Sequence, residues 1–230
     1  MNKTDKRNLN ISLFIAMLFH VCGVFGILFS SYKEWFIQAT SFTLLVMAAL
    51  IIFTQQQKNK AFYSFCAVAF ITGMSVEAAG VNSGILFGDY HYTKILGPGI
   101  FGVPFLIGIN WFVVVYCCGC ITFMFEEWIM KKLSVQAELS TGMQLISFII
   151  DAAILTVFYD WVLEPAAIKL NLWQWKNDTI PFYNYLCWFF ISAGLMVVFR
   201  KLNFAKHNIF ALHLLIIQLL FFLSIETFLK

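Results

Sequence analysis

Long apolar runs bounded by charged residues, glycine or proline divide this 230-residue chain. They fall near residues 9–30, 35–53, 61–80, 101–125, 142–164, 181–199 and 208–229. A hydrocarbon core about 30 Å thick takes about 20 apolar residues per helix, so each run predicts one membrane-spanning helix. The first run follows MNKTDKRNLN, which has the charged start of a signal peptide, but no small-residue cleavage site closes the run behind it. It is therefore read as a span. Seven spans with mostly short connections leave no room for a soluble domain. Residues 1–230 are expected to form a single all-α transmembrane domain, a polytopic bundle of about seven helices.

Composition agrees: 61% hydrophobic and 12% charged residues, with a mean hydropathy of +0.82, lie outside the range of soluble domains. The net charge of +3 comes from lysines and arginines flanking the runs. No contiguous basic face points to nucleic acid. Seven spans put Lys3, Lys6, Arg7, Lys58, Lys60, Lys131, Lys132, Arg200, Lys201 and Lys206 on one side, against Lys33, Lys94, Lys169, Lys176 and Lys230 on the other. By the positive-inside rule this excess puts the N-terminus in the cytoplasm and the C-terminus outside. Cys22, Cys66, Cys117, Cys118, Cys120 and Cys187 all fall within runs, where a thiol behaves as a small apolar group and no disulfide is expected. The cluster at Cys117, Cys118 and Cys120 would turn its thiols to different sides of one helix, which does not suit a metal.

Two connections stand out in length and content, and both fall on the outer side of that topology. The first runs from Glu77 to Pro104 and the second from Asp160 to Asn184. In each, an acidic residue near a helix end precedes an aromatic pair with one residue between: Glu77 precedes Tyr90 and Tyr92, and Asp160 precedes Trp173 and Trp175, at the same two spacings. A proline then opens the next span (Pro104, Pro181), and an asparagine and a tryptophan lie inside it, Asn110 with Trp111 and Asn184 with Trp188. This is a degenerate repeat of spans three–four and five–six. Because spans three and five run the same way, the repeat is parallel. A pseudo-two-fold axis along the membrane normal would turn Glu77 and Asp160 toward each other.

Interfacial aromatics are common because their rings are amphipathic, but an ionisable group inside a span costs about 2.5–3.5 kcal/mol and needs a partner or a purpose. Glu77 and Asp160 are therefore the leading candidates. Glu164 shares a helix face with Asp160 and ranks behind it, because Pro165 beside it suggests a helix end open to water. Asp151 lies about 900° of helical rotation from Asp160, on the opposite face, and is expected to serve a separate structural contact. Asp89 and His91 flank Tyr90 and are secondary candidates. His20, His207 and His213 form no i, i+4 pair and read as polar residues satisfied between helices, so no metal is expected. A retinal protein would need a lysine buried in the last span, which has only the terminal Lys230.

At these two loops the chain resembles the bacterial and archaeal membrane carotenoid hydratases, of the bisanhydrobacterioruberin hydratase and gamma-carotene 1′,2′-hydratase type. The resemblance covers roughly residues 75–190. It rests on Glu77 with Gly80, Phe87-Gly88-x-Tyr90-x-Tyr92, Leu96-Gly97-Pro98, Val103-Pro104 and Trp111, then Asp160, Pro165, Trp173-x-Trp175, Pro181, Asn184 and Trp188. The chain departs from the pattern at Ile180, where a glycine usually precedes the second proline.

The resemblance implies an inner-membrane enzyme of carotenoid biosynthesis, a carbon–oxygen lyase that adds water across the terminal C1′,2′ double bond of an acyclic carotenoid such as lycopene or gamma-carotene, with no cofactor. Such chemistry needs an acid to protonate C2′, a base for the water, and surroundings that tolerate a tertiary cation. Glu77 and Asp160 fit these two roles, in either order. Tyr90, Tyr92, Trp173 and Trp175, with Trp111 and Trp188, would line the substrate and offer ring faces to the cation; Asn110 and Asn184 would orient the water. A polyene of roughly bilayer thickness puts its ends near the interfaces and would enter laterally from lipid. Two other readings compete. A lycopene-type cyclase would yield an isomer instead of a hydrated product, and a non-enzymatic lipid carrier would leave the pigment unchanged.

Overall fold

The computed structural model describes residues 3–132, 141–176 and 179–229. Lys230, counted above among the outer charges, lies outside the described residues. Among the described residues seven α-helices, each long and apolar enough to cross a membrane, form the bundle: α1 Lys3–Phe29, α2 Lys33–Thr54, α3 Lys60–Ser83, α4 Phe105–Lys132, α5 Thr141–Lys169, α6 Phe182–Lys201 and α7 Ile209–Phe228. Helices satisfy their own backbone groups, which lipid cannot do. Large apolar side chains such as Phe14, Phe25, Phe190 and Leu220 stand exposed on their outer surfaces. In water such a belt would be a liability; in a bilayer it faces its own kind of solvent. The chain is a multi-pass membrane protein.

Helix α4 is the centre of the bundle, packing against α2, α3, α5, α6 and α7. Its stretch from Trp111 to Cys120 is buried without interruption, as expected of a helix apolar on all sides. Within it, Cys118 turns to Thr156 of α5 and Cys120 to Tyr116 of its own helix. At one end of the bundle the Tyr116 hydroxyl donates to Gln55 Oε1 (2.7 Å) and accepts from Asn208 Nδ2 (3.1 Å). This ties α4 to the ends of α2 and α7. His20 and His213 each place Nδ1 on the carbonyl four residues earlier, at 2.8 and 2.9 Å, and so are satisfied within their own helices.

Two boundaries differ from the sequence expectation, for backbone reasons. Residues 101–104 are not helical: Gly99–Ile100 (β2) pairs with Val103–Pro104 (β3) in a tight hairpin turned by Phe101 (φ 51°) and Gly102 (φ 80°). An apolar hairpin and the helix behind it give one continuous hydropathy signal. Pro104, which has no N–H to donate, suits the entry to α4. Helix α5 does not stop near Glu164 but runs through Pro165 to Lys169, so Glu164 is carried inside the bundle.

The two long connections meet at the other end of the bundle. Tyr90–Tyr92 (β1) from the first pairs antiparallel with Trp173–Trp175 (β4) from the second, with Tyr90 opposite Trp175, His91 opposite Gln174 and Tyr92 opposite Trp173. Equivalent strands pairing antiparallel about their central residues is what a two-fold axis between the repeats produces. Trp111 and Trp188, one from each half of the repeat, stack face to face, 3.9 Å apart and 7° from parallel.

Candidate active site

The first half-site is built around Glu77, which is buried in α3. Its Oε2 accepts hydrogen bonds from the hydroxyls of Tyr90 (2.5 Å) and Tyr92 (2.6 Å), and its Oε1 accepts one from the Trp111 indole N–H (2.9 Å). Residues i and i+2 of a strand point to one face, so the aromatic-x-aromatic spacing delivers two phenols to one carboxylate. Glycines on the same helix make room for them. A Cβ at Gly80 would meet Phe87 and Tyr90 Oη, each at 2.9 Å, and a Cβ at Gly73 would meet the Trp111 ring. Phe87, held at φ 65°, packs against Trp111 and Tyr90. Burial, and then the charge of Glu77, holds both phenols well above the usual tyrosine range. They act as neutral donors.

The second half-site repeats this grammar with one change. The indole N–H groups of Trp173 (2.9 Å) and Trp175 (2.7 Å) donate to Glu164 Oε2, one turn beyond the residue that matches Glu77 in the repeat. That residue is Asp160, whose Oδ2 accepts, among the described residues, a single side-chain hydrogen bond, from Asn184 Nδ2 (2.8 Å). Both carboxyls are buried. Glu164 is therefore not a water-washed helix end but the counterpart of Glu77 in its aromatic clamp, and Asp160 is left without one. In the first half Val81 stands where Glu164 stands in the second.

Glu77, Asp160 and Glu164 line one small pocket with Tyr90, Tyr92, Trp173, Trp175, Trp111, Trp188, Asn110 and Asn184. Its free volume is 20 Å³, against the 10–15 Å³ or so that one water needs. The strand aromatics present their polar edges to the carboxylates and their rings to each other, with Tyr90 and Trp175 centroids 4.9 Å apart. The secondary candidates Asp89 and His91 lie outside. Asp89 pairs with Lys176 on the surface at 2.9 Å, which raises the Lys176 ammonium, and His91 faces outward opposite Gln174. Asp151 accepts from Ser147 at an exposed position on α5, apart from the pocket.

Beside the pocket lies an open-sided cavity of about 670 Å³ lined by α1, α2, α4, α5 and α7 together with Leu96, Leu172 and Trp173. The two spaces share Ile107, Asn110, Leu163 and Trp173 as walls. Its other sides are mostly apolar, among them Phe19, Phe36, Met47, Phe221 and Phe222, with His20, Gln38, Thr40, Thr43 and Gln218 between them. The role of α1, α2 and α7 had no signal in the sequence beyond their hydropathy.

A family model described as carotenoid biosynthesis protein matches residues 23–229, nearly the whole bundle and both half-sites. The chain belongs to this family. Membership gives it a role in carotenoid biosynthesis and implies a carotenoid as its substrate. No curated protein and no solved structure matches the chain. Residues 23–229 also include most of the large cavity's walls, so the match extends beyond the loops to the helices around them.

Proposed function

We propose that this member of the family is a hydratase that adds water to the terminal C1′,2′ double bond of an acyclic carotenoid end group. The observation that carries this reading is a carboxylate pocket with space for one water, set against an apolar cavity large enough for a lipid-like chain. The polyene occupies the cavity, entering laterally from lipid, and its end group meets the water at the wall of Ile107, Asn110, Leu163 and Trp173. The loop end of the bundle faces the outside, in keeping with the excess of lysine and arginine at the other end.

Hydrogen bonding to a carboxylate favours its charged form. Glu77, with three donors, is the ionised partner. Asp160, with one donor and Glu164 a turn away, is the carboxylic acid, since neighbouring carboxyls resist ionising together. Asp160 gives its proton to C2′, leaving a tertiary cation at C1′. The pocket water adds its oxygen to C1′, and its proton passes to Glu77. Exchange within the pocket returns that proton to Asp160. Atoms balance as polyene plus water giving alcohol, with no change of oxidation state overall. Asn184, hydrogen-bonded to Asp160, and Asn110, on the wall between the two spaces, are the positioning residues. The fixed negative charge at Glu77 and the ring faces around it favour the cation.

The test is to express the chain in cells that accumulate lycopene or gamma-carotene and to separate the pigments by chromatography with mass spectrometry. A product heavier by one water is expected. An isomer of unchanged mass would instead establish cyclisation, and unchanged pigment would favour a carrier.

A further inference from the structure

The residues lining the large cavity that stand exposed all belong to α1 and α2: Leu18 and Cys22, one turn apart on α1, and Trp35, Gln38 and Phe42 on α2. The lining residues of α4, α5 and α7 are buried or half-buried. The open side of the cavity therefore lies along α1 and α2, toward lipid. Its two ends are shut. Leu96 and Leu172, both buried, cover the outer end from the two long connections. Met47, wholly buried, closes the inner end, and Leu50 and Ile51 beyond it are buried too. Further in, Tyr116 ties α4 to the ends of α2 and α7 through Gln55 and Asn208. From Trp35 to Met47, the outermost and innermost cavity residues of α2, the helix rises about 18 Å. A polyene that matches the hydrocarbon thickness, about 30 Å, is longer than that.

We propose that the open side rimmed by Leu18, Cys22, Trp35, Gln38 and Phe42 is a portal through which only the reacting half of a polyene is seated, while its far half stays in lipid. The inference rests on reading the cavity as the seat of the polyene. With the reacting end at the wall shared with the carboxylate pocket and the inner end of the cavity closed, a stiff conjugated chain has one way out, sideways past α1 and α2. Leaving the far half in lipid costs little, because lipid tails are as apolar as the side chains that would replace them. The protein thus grips one end of its substrate and makes no contact with the other. A polyene with two acyclic ends is handled one end at a time, and it leaves by the portal and turns round before the second end is seated.

The test uses the full chain in lipid nanodiscs and has two readouts. In the first, a diazirine amino acid replaces Phe42 on the rim or Phe190, which is exposed at a comparable depth on α6, with Leu18 as a second rim position and thermal unfolding recorded for each. On illumination with an acyclic polyene saturated at C1′,2′, the rim positions are expected to form roughly tenfold more polyene adduct than position 190. In the second, the native chain is given a polyene with one acyclic end and a triphenylmethyl group, too wide for the cavity, at the other. Its initial rate of hydration is expected to stay within about threefold of that of the uncapped polyene. Equal adducts at the rim and at position 190, or hydration of the uncapped polyene alone, would overturn the portal and leave the hydratase reading standing. Adducts concentrated at the rim with neither polyene hydrated would uphold the portal and overturn the hydratase reading.

Discussion

At the scale of single residues, what separates the three buried carboxyls is their donors. Glu77 has three, Glu164 has two and Asp160 has one. Removing one Tyr hydroxyl, as in Tyr90→Phe or Tyr92→Phe, takes a charge-assisted hydrogen bond from Glu77, and hydration is expected to fall about tenfold or more. The double change with Glu77→Gln should add little to Glu77→Gln alone, and initial rates on one polyene measure that coupling. Glu164→Leu strands two buried indole N–H groups at roughly 1–3 kcal/mol each. Glu164→Gln still offers them a carbonyl, so thermal unfolding should place Glu164→Leu well below Glu164→Gln. Glu77 and Asp160 could be singled out in the sequence because a carboxyl inside a span is costly. The partners of Glu164 could not, because Pro165 reads as a helix end and only the continued helix brings the carboxyl under β4.

The elements explain how such a cluster can exist in a bundle otherwise apolar. Two short strands from separate loops pair about a local two-fold and hand one aromatic pair to each half-site. The repeat was legible from spacing alone, since Glu77 to Tyr90 matches Asp160 to Trp173. Its broken symmetry was not, because it depends on which carboxylate an indole reaches in three dimensions. The β2–β3 hairpin was hidden for a different reason: its residues are as apolar as those of the helix that follows. Close approach of the strand to α3 depends on Gly80, where a Cβ would meet Tyr90 and Phe87. Gly80→Ala is expected to push the phenols off Glu77, with a stability loss of about 1–3 kcal/mol and reduced hydration, against a milder effect of alanine at Gly194, which has open space around it. Thermal unfolding in detergent together with pigment yield checks both.

At the scale of the whole molecule, seven apolar helices could be read directly from hydropathy, because membrane thickness fixes span length. The cavity among α1, α2, α4, α5 and α7 could not, because helices that are apolar on every side do not announce which faces leave a gap. If the cavity seats the polyene, a bulky residue within it should block binding at a distance from the carboxylates. Ala39 lies on its α2 wall. Ala39→Trp is expected to weaken polyene binding at least tenfold, measured by fluorescence quenching, while the strand aromatics and their hydrogen bonds stay in place. The central claim is that the pocket holds the water that adds to the substrate, under the control of Asp160 and Glu77. It is tested most directly with purified protein in nanodiscs, an acyclic polyene and water enriched in heavy oxygen. The account predicts an alcohol carrying one heavy oxygen from the native chain, and none from Asp160→Asn or Glu77→Gln. An unlabelled or isomeric product from the native chain, or full labelling by either variant, would contradict it.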